Sequence, residues 1–280
     1  MRAILDAVWS SRSSRIAAIA LAALILCAAI APLIAPYNPI VQPDIVGMKD
    51  LPPSLAHPFG TDPYSRDVLS RVIYGARLSL GIGLLATLIS ATFGVAYGAV
   101  SGLAGGIVDS VMMRILDALM AIPRLLLLIA ILAAWRALPV TTLVLFLGLT
   151  GWFGLSRIVR GQVLALKEVE FVTAARALGA HEGRIIVRHL LPNLFSVIAV
   201  AATLGFAHVI VLEAGLSYLG IGVQQPLASW GNIIQDGAED VAGLWWLSLF
   251  PGLILLATVL ALNTIGERIR STVSPGRSRA

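Results

Sequence analysis

Residues 78–108 read LSLGIGLLATLISATFGVAYGAVSGLAGGIV and form the longest stretch of the chain without a charged residue. A helix needs about 20 predominantly apolar residues to cross the hydrocarbon core of a bilayer. This stretch is long enough for a span, and four other stretches are similarly apolar. The five predicted spans are residues 16–35, 78–101, 137–156, 193–214 and 246–266. The chain is therefore predicted to cross a membrane several times.

The overall composition points the same way. Of the 280 residues, 58% are hydrophobic and only 12% are charged, and the mean hydropathy is +0.89. A soluble domain carries about 25% charged residues, so this chain has too little charge to cover a soluble surface. Disorder is excluded because it requires low hydrophobicity and high charge. The single cysteine, Cys27, excludes a disulfide within the chain.

A sixth span is predicted at residues 110–133, although Arg114, Asp117 and Arg124 interrupt it. Without this span, the loops on its two sides would be assigned to contradictory sides of the membrane. An alternative for the first span is a cleaved signal peptide, because residues 29–31 resemble a cleavage site. Pro32 follows directly and argues against cleavage.

The placement of lysine and arginine predicts the orientation, because these residues are enriched in cytoplasmic loops. With six spans, three basic regions fall on one side: the N-terminus 1–15, the loop 157–192 and the tail 267–280. Both termini are therefore predicted to be cytoplasmic. Residues 36–76 and 217–245 then form external loops, and the second of these contains no Lys or Arg.

The external loop 36–76 is predicted to contain an amphipathic helix. Asp62 followed by Pro63 has the pattern of an N-cap with proline in the first helical position. Val68, Val72 and their neighbours Leu69 and Ile73 would then form one apolar face. We expect this helix to have a structural role rather than to contact a substrate.

The basic loop 157–192 is predicted to contain a second amphipathic helix. Phe171, Ala174, Ala175 and Leu178 recur with helical spacing and form one apolar face. Gly179 can end this helix, and a second short helix is predicted to follow and to end near Pro192. The apolar face could rest on lipid or dock into a groove of another protein. Two alanines give little depth for anchoring in lipid, so docking is favoured.

Residues 170–179, EFVTAARALG, resemble the EAA loop of bacterial ABC importer permeases, whose pattern is E-A-A, three residues, Gly, nine residues and I-x-L-P. Here Thr173, Ala174 and Ala175 stand at the first three positions, Gly179 follows at the family spacing, and residues 189–192 read HLLP. Thr173 replaces the usual Glu, and the first residue of HLLP replaces the usual Ile.

Further motifs in the same order along the chain are similar to those of the C-type subunit of the dipeptide/oligopeptide/nickel permease family. They include the sequences HPFGTD at 57–62, RDVLSR at 66–71, EAGLSYLG at 213–220 and SWG at 229–231. The resemblance extends over residues 16–272. It implies an all-α polytopic membrane protein with six transmembrane helices, a type I ABC importer permease-like fold and a cytoplasmic coupling helix.

The resemblance also implies partners: a homologous second permease subunit, two ABC ATPase subunits, an extracytoplasmic substrate-binding protein and membrane lipid, with no nucleic acid. The chain would lie in the bacterial inner membrane and would translocate di- or oligopeptides. Nickel or a metal chelate, glutathione and haem remain alternative substrates. The residues that the resemblance implies for coupling to the ATPase are Glu170, Phe171, Thr173, Ala174, Ala175, Leu178 and Gly179.

Two acidic residues are candidates for the translocation pathway or its gate. A charge at the bilayer centre costs about 2.5–3.5 kcal/mol on insertion scales, so Asp117 is expected to face inward. It would pair with Arg114, three residues away, or line the pathway. Glu213, at the outer end of the fifth span, would contact substrate, hold an external gate or simply meet water.

The regular spacing of Gly94, Gly98, Gly102 and Gly106 predicts close approach of a neighbouring helix. Packing within the chain is the favoured interpretation, and a mobile pore-lining helix is the alternative.

Several absences narrow the function. The only two lysines, Lys49 and Lys167, do not follow a glycine as a P-loop requires. We therefore expect no cofactor and no catalytic site in this chain, with ATP and magnesium bound by partner ATPase subunits. His208 is the only histidine within a predicted span, so no metal site is expected. The rival hypothesis is a self-contained channel or ion-coupled transporter, which would require more intramembrane charge or inverted repeats.

Overall fold

The computed structural model describes residues 7–135 and 139–273, and their secondary structure is almost entirely helical. The predicted N-terminus 1–15, span 137–156 and tail 267–280 each lie partly outside the described residues. The described helices are α1 Arg12–Ala29, α2 Ala31–Ile34, α3 Val68–Ala104, α4 Gly106–Met120, α5 Arg124–Leu132, α6 Val140–Leu149, α7 Phe153–Leu166, α8 Glu170–Ala177, α9 Glu182–Ile185, a π-helix Ile186–Leu190, α10 Leu191–Tyr218, α11 Trp230–Asp236 and α12 Trp245–Val273.

Five helical stretches are long and apolar enough to cross a membrane, and the bent pair α4 and α5 makes a sixth if it counts as one span. The prediction of a polytopic all-α membrane protein is therefore confirmed. The longest helix, α3, has 37 residues and would extend about 55 Å at 1.5 Å per residue. It is longer than the bilayer core is thick, so part of it must project beyond the membrane.

The prediction of a separate amphipathic helix capped by Asp62 is wrong, because Val68 and the residues after it form the first turns of α3. The helix begins at Val68, and its N-cap is Asp67, whose side chain accepts from the Ser70 amide at 2.7 Å. Asp62 instead accepts from the amides of Tyr64 and Arg66, both at 2.9 Å. The carboxylate that resembled a helix cap therefore closes a turn before the helix.

The third span is broken rather than continuous over residues 110–133. Helices α4 and α5 meet at an angle of 72°. Pro123 lies at the break, where it has no amide hydrogen to donate and disfavours helical geometry at Ile122. The bend places Arg124 at the first position of α5, in the interior of the predicted span.

Three of the four regularly spaced glycines pack within the chain, as predicted: Gly94, Gly98 and Gly102 of α3 lie against α7 and the residue before it. A Cβ added at Gly94 would lie 2.9 Å from the Trp152 carbonyl oxygen, and one at Gly102 would lie 2.9 Å from Val163. Gly98 faces the Ser156 carbonyl even more closely. Gly106 has open space around it and begins α4 with φ +53°.

The predicted short helix that ends near Pro192 is wrong. Residues 182–218 form one stretch of 37 residues in which α9, the π-helix and α10 follow without a gap. Pro192 stands in the first turn of α10. The wider π-turn before it changes the hydrogen-bond register, so the missing amide of proline does not end the helix.

The core is organised around α3, which packs against α1, α6, α7 and α10. One apolar cluster joins α3 to α5, α6 and α10 and includes the fully buried Leu128, Leu143 and Leu147. Other large apolar residues of α3 point outward, such as Leu84, Leu85 and Leu88, each more than half exposed. This outward face fits lipid or a second subunit.

Candidate functional site

The helix predicted to couple to a partner lies at one end of the bundle and is anchored by Val172. This side chain is 0% exposed and belongs to an apolar cluster with Val163 of α7, Ile185 of α9 and Leu194 of α10. Ala99 of α3 is part of the same cluster. Val172 therefore packs α8 against α3, α7 and α10.

The predicted apolar face of α8 is left uncovered by the chain itself. Leu178 is 88% exposed and Phe171 is 38% exposed. Ala174 is also exposed, and Ala175 is half-buried. The helix therefore packs on its own chain through Val172 and presents the predicted face outward. Docking of a partner on this face stays a prediction.

Gly179 ends α8 in the predicted way. Its φ of +83° lies in the left-handed region, where residues with a side chain are strained. The Gly179 amide donates to the Arg176 carbonyl at 3.0 Å, and the Ala180 amide donates to the Ala175 carbonyl at 3.1 Å. These bonds satisfy carbonyl groups that the end of the helix would otherwise leave free.

The polar residues of α8 interact within their own segment. The Thr173 hydroxyl donates to the Glu170 carbonyl at 3.0 Å, and both residues are exposed. Arg176 pairs with Glu182 at 3.1 Å across the turn that follows the helix. Thr173 and Glu170 are therefore accessible at this surface, and their role in coupling stays a prediction.

Of the two alternatives for Asp117, the pairing with Arg114 is wrong, and a place on the pathway stays a prediction. Asp117 is paired with Arg157 of α7, and both side chains are about half exposed. A second ion pair joins Asp109 to Arg160 at 2.5 Å. Both pairs connect the first half of the broken third span to α7. Local sequence spacing could not predict these pairs, because their members lie 40 and 51 residues apart.

Glu213 is completely buried rather than near water. One carboxylate oxygen accepts from Ser217 at 2.7 Å, and the other accepts from Ser79 of α3 at 2.8 Å. The Ser217 hydroxyl in turn accepts from the Val223 amide. Glu213 therefore connects α3, α10 and the loop after α10, and in this conformation its carboxylate is closed to a solute. Its role as a gate stays a prediction.

Replacing Glu213 with leucine is expected to lower the unfolding temperature, because the hydroxyls of Ser79 and Ser217 lose their acceptor. Each buried polar group without a partner costs about 1–3 kcal/mol. Glu213→Gln retains an acceptor and is expected to cost less. Thermal unfolding of the purified protein in detergent measures both, with Glu267→Leu as the exposed control. An unchanged midpoint for Glu213→Leu would contradict this structural role.

A second buried network lies at the opposite end of the bundle from α8. Asp62 pairs with Arg66 at 2.6 Å and also with Arg71, and Asp236 pairs with Arg71 at 2.6 Å. Burial lowers the pKa of Arg66, and the nearby charge of Arg71 lowers it further. Trp246 donates to the Thr61 carbonyl at 3.0 Å beside this network. These contacts fasten the loop before α3 onto α11 and α12.

The expected absence of a metal site stays a prediction. Within 7–135 and 139–273, no three His, Cys, Asp or Glu side chains come together in a group that could hold a metal ion. His208 is exposed on α10.

Comparison with known proteins places these features in context. Residues 71–279 match the family described as the binding-protein-dependent transport system inner membrane component. The dipeptide transport system permease protein of Bacillus subtilis is 41% identical over 253 residues, covering 90% of this chain and 78% of the relative. The oligopeptide transport system permease protein of the same organism is 38% identical over 275 residues, covering 96% and 88%.

A solved structure of the MetNI methionine ABC transporter in an inward-facing conformation has a similar fold. The TM-score is 0.54 at 18% identity, and the match covers 73% of this chain and 97% of the other. At this identity the likeness concerns the fold alone. It confirms the predicted type I importer permease architecture.

Proposed function

The chain belongs to the family of binding-protein-dependent transport system inner membrane components, and we propose that it is a permease subunit that carries peptides across the bacterial inner membrane. In this proposal two separate ATPase subunits drive transport, a homologous second permease completes the pathway, and an extracytoplasmic binding protein delivers the solute. In this proposal α8 faces the cytoplasm, because the loop 157–192 that contains it is rich in Arg and Lys and such loops are usually cytoplasmic.

One observation carries the proposal: α8 offers an uncovered apolar face while Val172 ties the helix to the bundle core. A docked ATPase that closes on ATP would displace α8. Because packed cores resist continuous deformation, the displacement would shift α3, α7 and α10 between two arrangements. This is the movement that alternating access requires.

The peptide substrate is supported by the relatives. Both of the Bacillus subtilis permeases described above are named for peptide transport, and each is about 40% identical to this chain over most of its length. Nickel or a metal chelate, glutathione and haem are the alternative solutes. No polar cluster with metal-binding composition favours the metal alternatives within the described residues.

Reconstitution into liposomes tests the proposed function. The chain is expected to support ATP-dependent uptake of a labelled tripeptide only when the second permease, both ATPase subunits and the binding protein are all present. Co-purification of the four membrane-associated subunits is expected as well. Uptake of the tripeptide by this chain alone, without ATP, would instead establish the rival self-contained transporter.

A further inference from the structure

A cavity of about 90 Å³ lies at the bend of the third span. Ser90, on its wall, stands midway along the predicted span 78–101, and Gly205 stands near the middle of the predicted span 193–214. Both residues stand near the middle of their predicted spans, so the cavity lies close to the bilayer midplane. Its polar lining consists of Thr87, Ser90, Arg124 and His208.

Arg124 projects into this cavity from the first position of α5. Its Nε donates to the Thr150 hydroxyl at 3.2 Å, and one Nη2 hydrogen donates to the Leu147 carbonyl at 2.7 Å. A guanidinium group has five N–H donors. The remaining three therefore have no protein acceptor in the part of the chain that the structure describes.

The charge of Arg124 is also uncompensated within the described residues, where it forms no ion pair. The cavity lining contains no Asp or Glu. Placing an arginine at the centre of a membrane is costly, and such residues usually pair or mark a solute pathway. The third span is discontinuous at this point, and broken spans often form solute sites in transporters.

The two hydroxyl groups of the cavity offer a ligand only acceptor lone pairs, and Arg124 is the group that favours an anion. The Thr87 hydroxyl already donates to the Gly83 carbonyl at 2.7 Å, and the Ser90 hydroxyl donates to the Gly148 carbonyl at 2.8 Å. Their hydrogens are used, so they supply no strong donor to a ligand. Arg124 then supplies the free donors, and the exposed His208 ring lies on the same wall.

The size of the cavity suits a small group rather than a whole solute. At about 90 Å³ it is well below the roughly 300–1,000 Å³ of pockets that enclose drug-sized ligands, so it receives one end of a larger solute. Because His208 is exposed, the cavity opens at the surface of this chain, where the rest of a larger solute would remain.

We propose that Arg124, at the break in the third span, binds the carboxylate of a peptide during its passage through the membrane. This inference rests on the proposed function, because it identifies the group of the peptide that the permease contacts. The same chemistry could come from another source, a carboxylate of the second permease, and the experiment separates the two.

The test uses the complete reconstituted complex with trialanine and trialaninamide, which differ only in the C-terminal carboxylate. Arg124→Gln is expected to reduce trialanine uptake about tenfold, which corresponds to about 1.4 kcal/mol, and to change trialaninamide uptake less than about twofold. Arg124→Lys is expected to restore part of the trialanine uptake because it keeps the charge. The binding protein is the same in all samples, so its own preference cancels in the comparison.

A second measurement covers the case in which the binding protein rejects trialaninamide. The number of trialanine molecules transported per ATP hydrolysed is then compared between the parent complex and Arg124→Gln. The proposal expects that number to fall about tenfold while stimulated ATPase activity persists. Thr150→Val is the matched control, because it removes one hydrogen bond to Arg124 and leaves the charge.

The outcomes are distinct. An Arg124→Gln complex that transports trialanine normally, with an unchanged ratio to ATP, overturns the proposal. Loss of the second permease on purification of Arg124→Gln, with retention in Arg124→Lys, overturns it in favour of a partner carboxylate. Absence of ATP-dependent uptake by the parent complex contradicts the proposed function itself.

Discussion

Replacing Ala174 with arginine is expected to abolish the ATPase activity that the loaded binding protein stimulates, while the chain still inserts into the membrane. Ala174 lies in the middle of the exposed apolar face of α8. A small side chain there lets a partner approach closely, and arginine would place a long charged group in a desolvated contact. Burying an unpaired charge costs several kcal/mol, which is enough to prevent docking.

The measurement compares ATP hydrolysis by the reconstituted complex with and without the loaded binding protein. Ala177→Arg is a matched control, because Ala177 is exposed on the same helix but outside the predicted face. It is expected to retain most of the stimulation. Equal losses in the two variants, or normal stimulation in Ala174→Arg, would contradict docking through this face.

Gly179→Asp is expected to disturb the same coupling by changing the backbone at the end of α8. A Cβ at this position meets no atom within 4 Å, but φ is +83°, so the substitution strains the backbone rather than causing a clash. We expect the end of α8 to shift and stimulated ATPase activity to be lost. After glycine, asparagine is the residue found at this position of helix ends, and it lacks the negative charge that is unfavourable at a helix C-terminus, so Gly179→Asn is expected to retain more activity than Gly179→Asp.

The coupling helix illustrates how much the sequence could predict. Periodic spacing located the face from Phe171 to Leu178, and a glycine at the right offset located its end. The anchor Val172 escaped prediction because it lies outside that periodic face. Its burial depends on partners in α7, α9 and α10, which only the tertiary structure brings together.

The third span shows a different limit. Composition indicated a span at 110–133, and the charges within it suggested that it was unusual. Local spacing then suggested a pair between Asp117 and Arg114, but the actual partner, Arg157, lies on another helix. Pro123 indicated where a helix could break, whereas the 72° bend depends on how both halves pack against their neighbours.

Glu213 and Asp62 were each interpreted from nearby sequence, and in both cases distant residues decide the environment. Glu213 looked like a helix-end carboxylate near water, but Ser79 lies opposite it on another helix. Asp62 looked like a helix cap, but its main partners are two buried arginines that also contact Asp236.

Removal of the Asp62 charge is expected to destabilise the protein strongly. Asp62→Asn keeps the shape of the side chain but leaves Arg66 and Arg71 with Asp236 as their only carboxylate in this network. Breaking a buried ion pair by neutralising one member costs about 3–5 kcal/mol, because the other charge stays buried. We therefore expect a large fall in the unfolding temperature of the purified protein in detergent.

The exposed pair between Arg176 and Glu182 provides the control. Glu182→Gln also removes one carboxylate charge, but both members of that pair are about half exposed, and such pairs contribute at most about 1 kcal/mol. A similar unfolding temperature for Asp62→Asn and Glu182→Gln would contradict the structural role of the buried network.

A double variant separates the loss of attraction from the cost of the remaining charge. The Nε and Nη2 atoms of Arg71 are buried and have no hydrogen-bond partner within the described residues, so this arginine already carries a desolvation cost. Arg71→Met removes the charge and keeps much of the volume. Combined with Asp62→Asn, it is expected to recover part of the lost stability. The opposite result is that the stability losses of Asp62→Asn and Arg71→Met, measured separately, simply add up to the loss of the double variant. In that case the penalty in Asp62→Asn comes from lost hydrogen bonds of the turn and not from an uncompensated arginine.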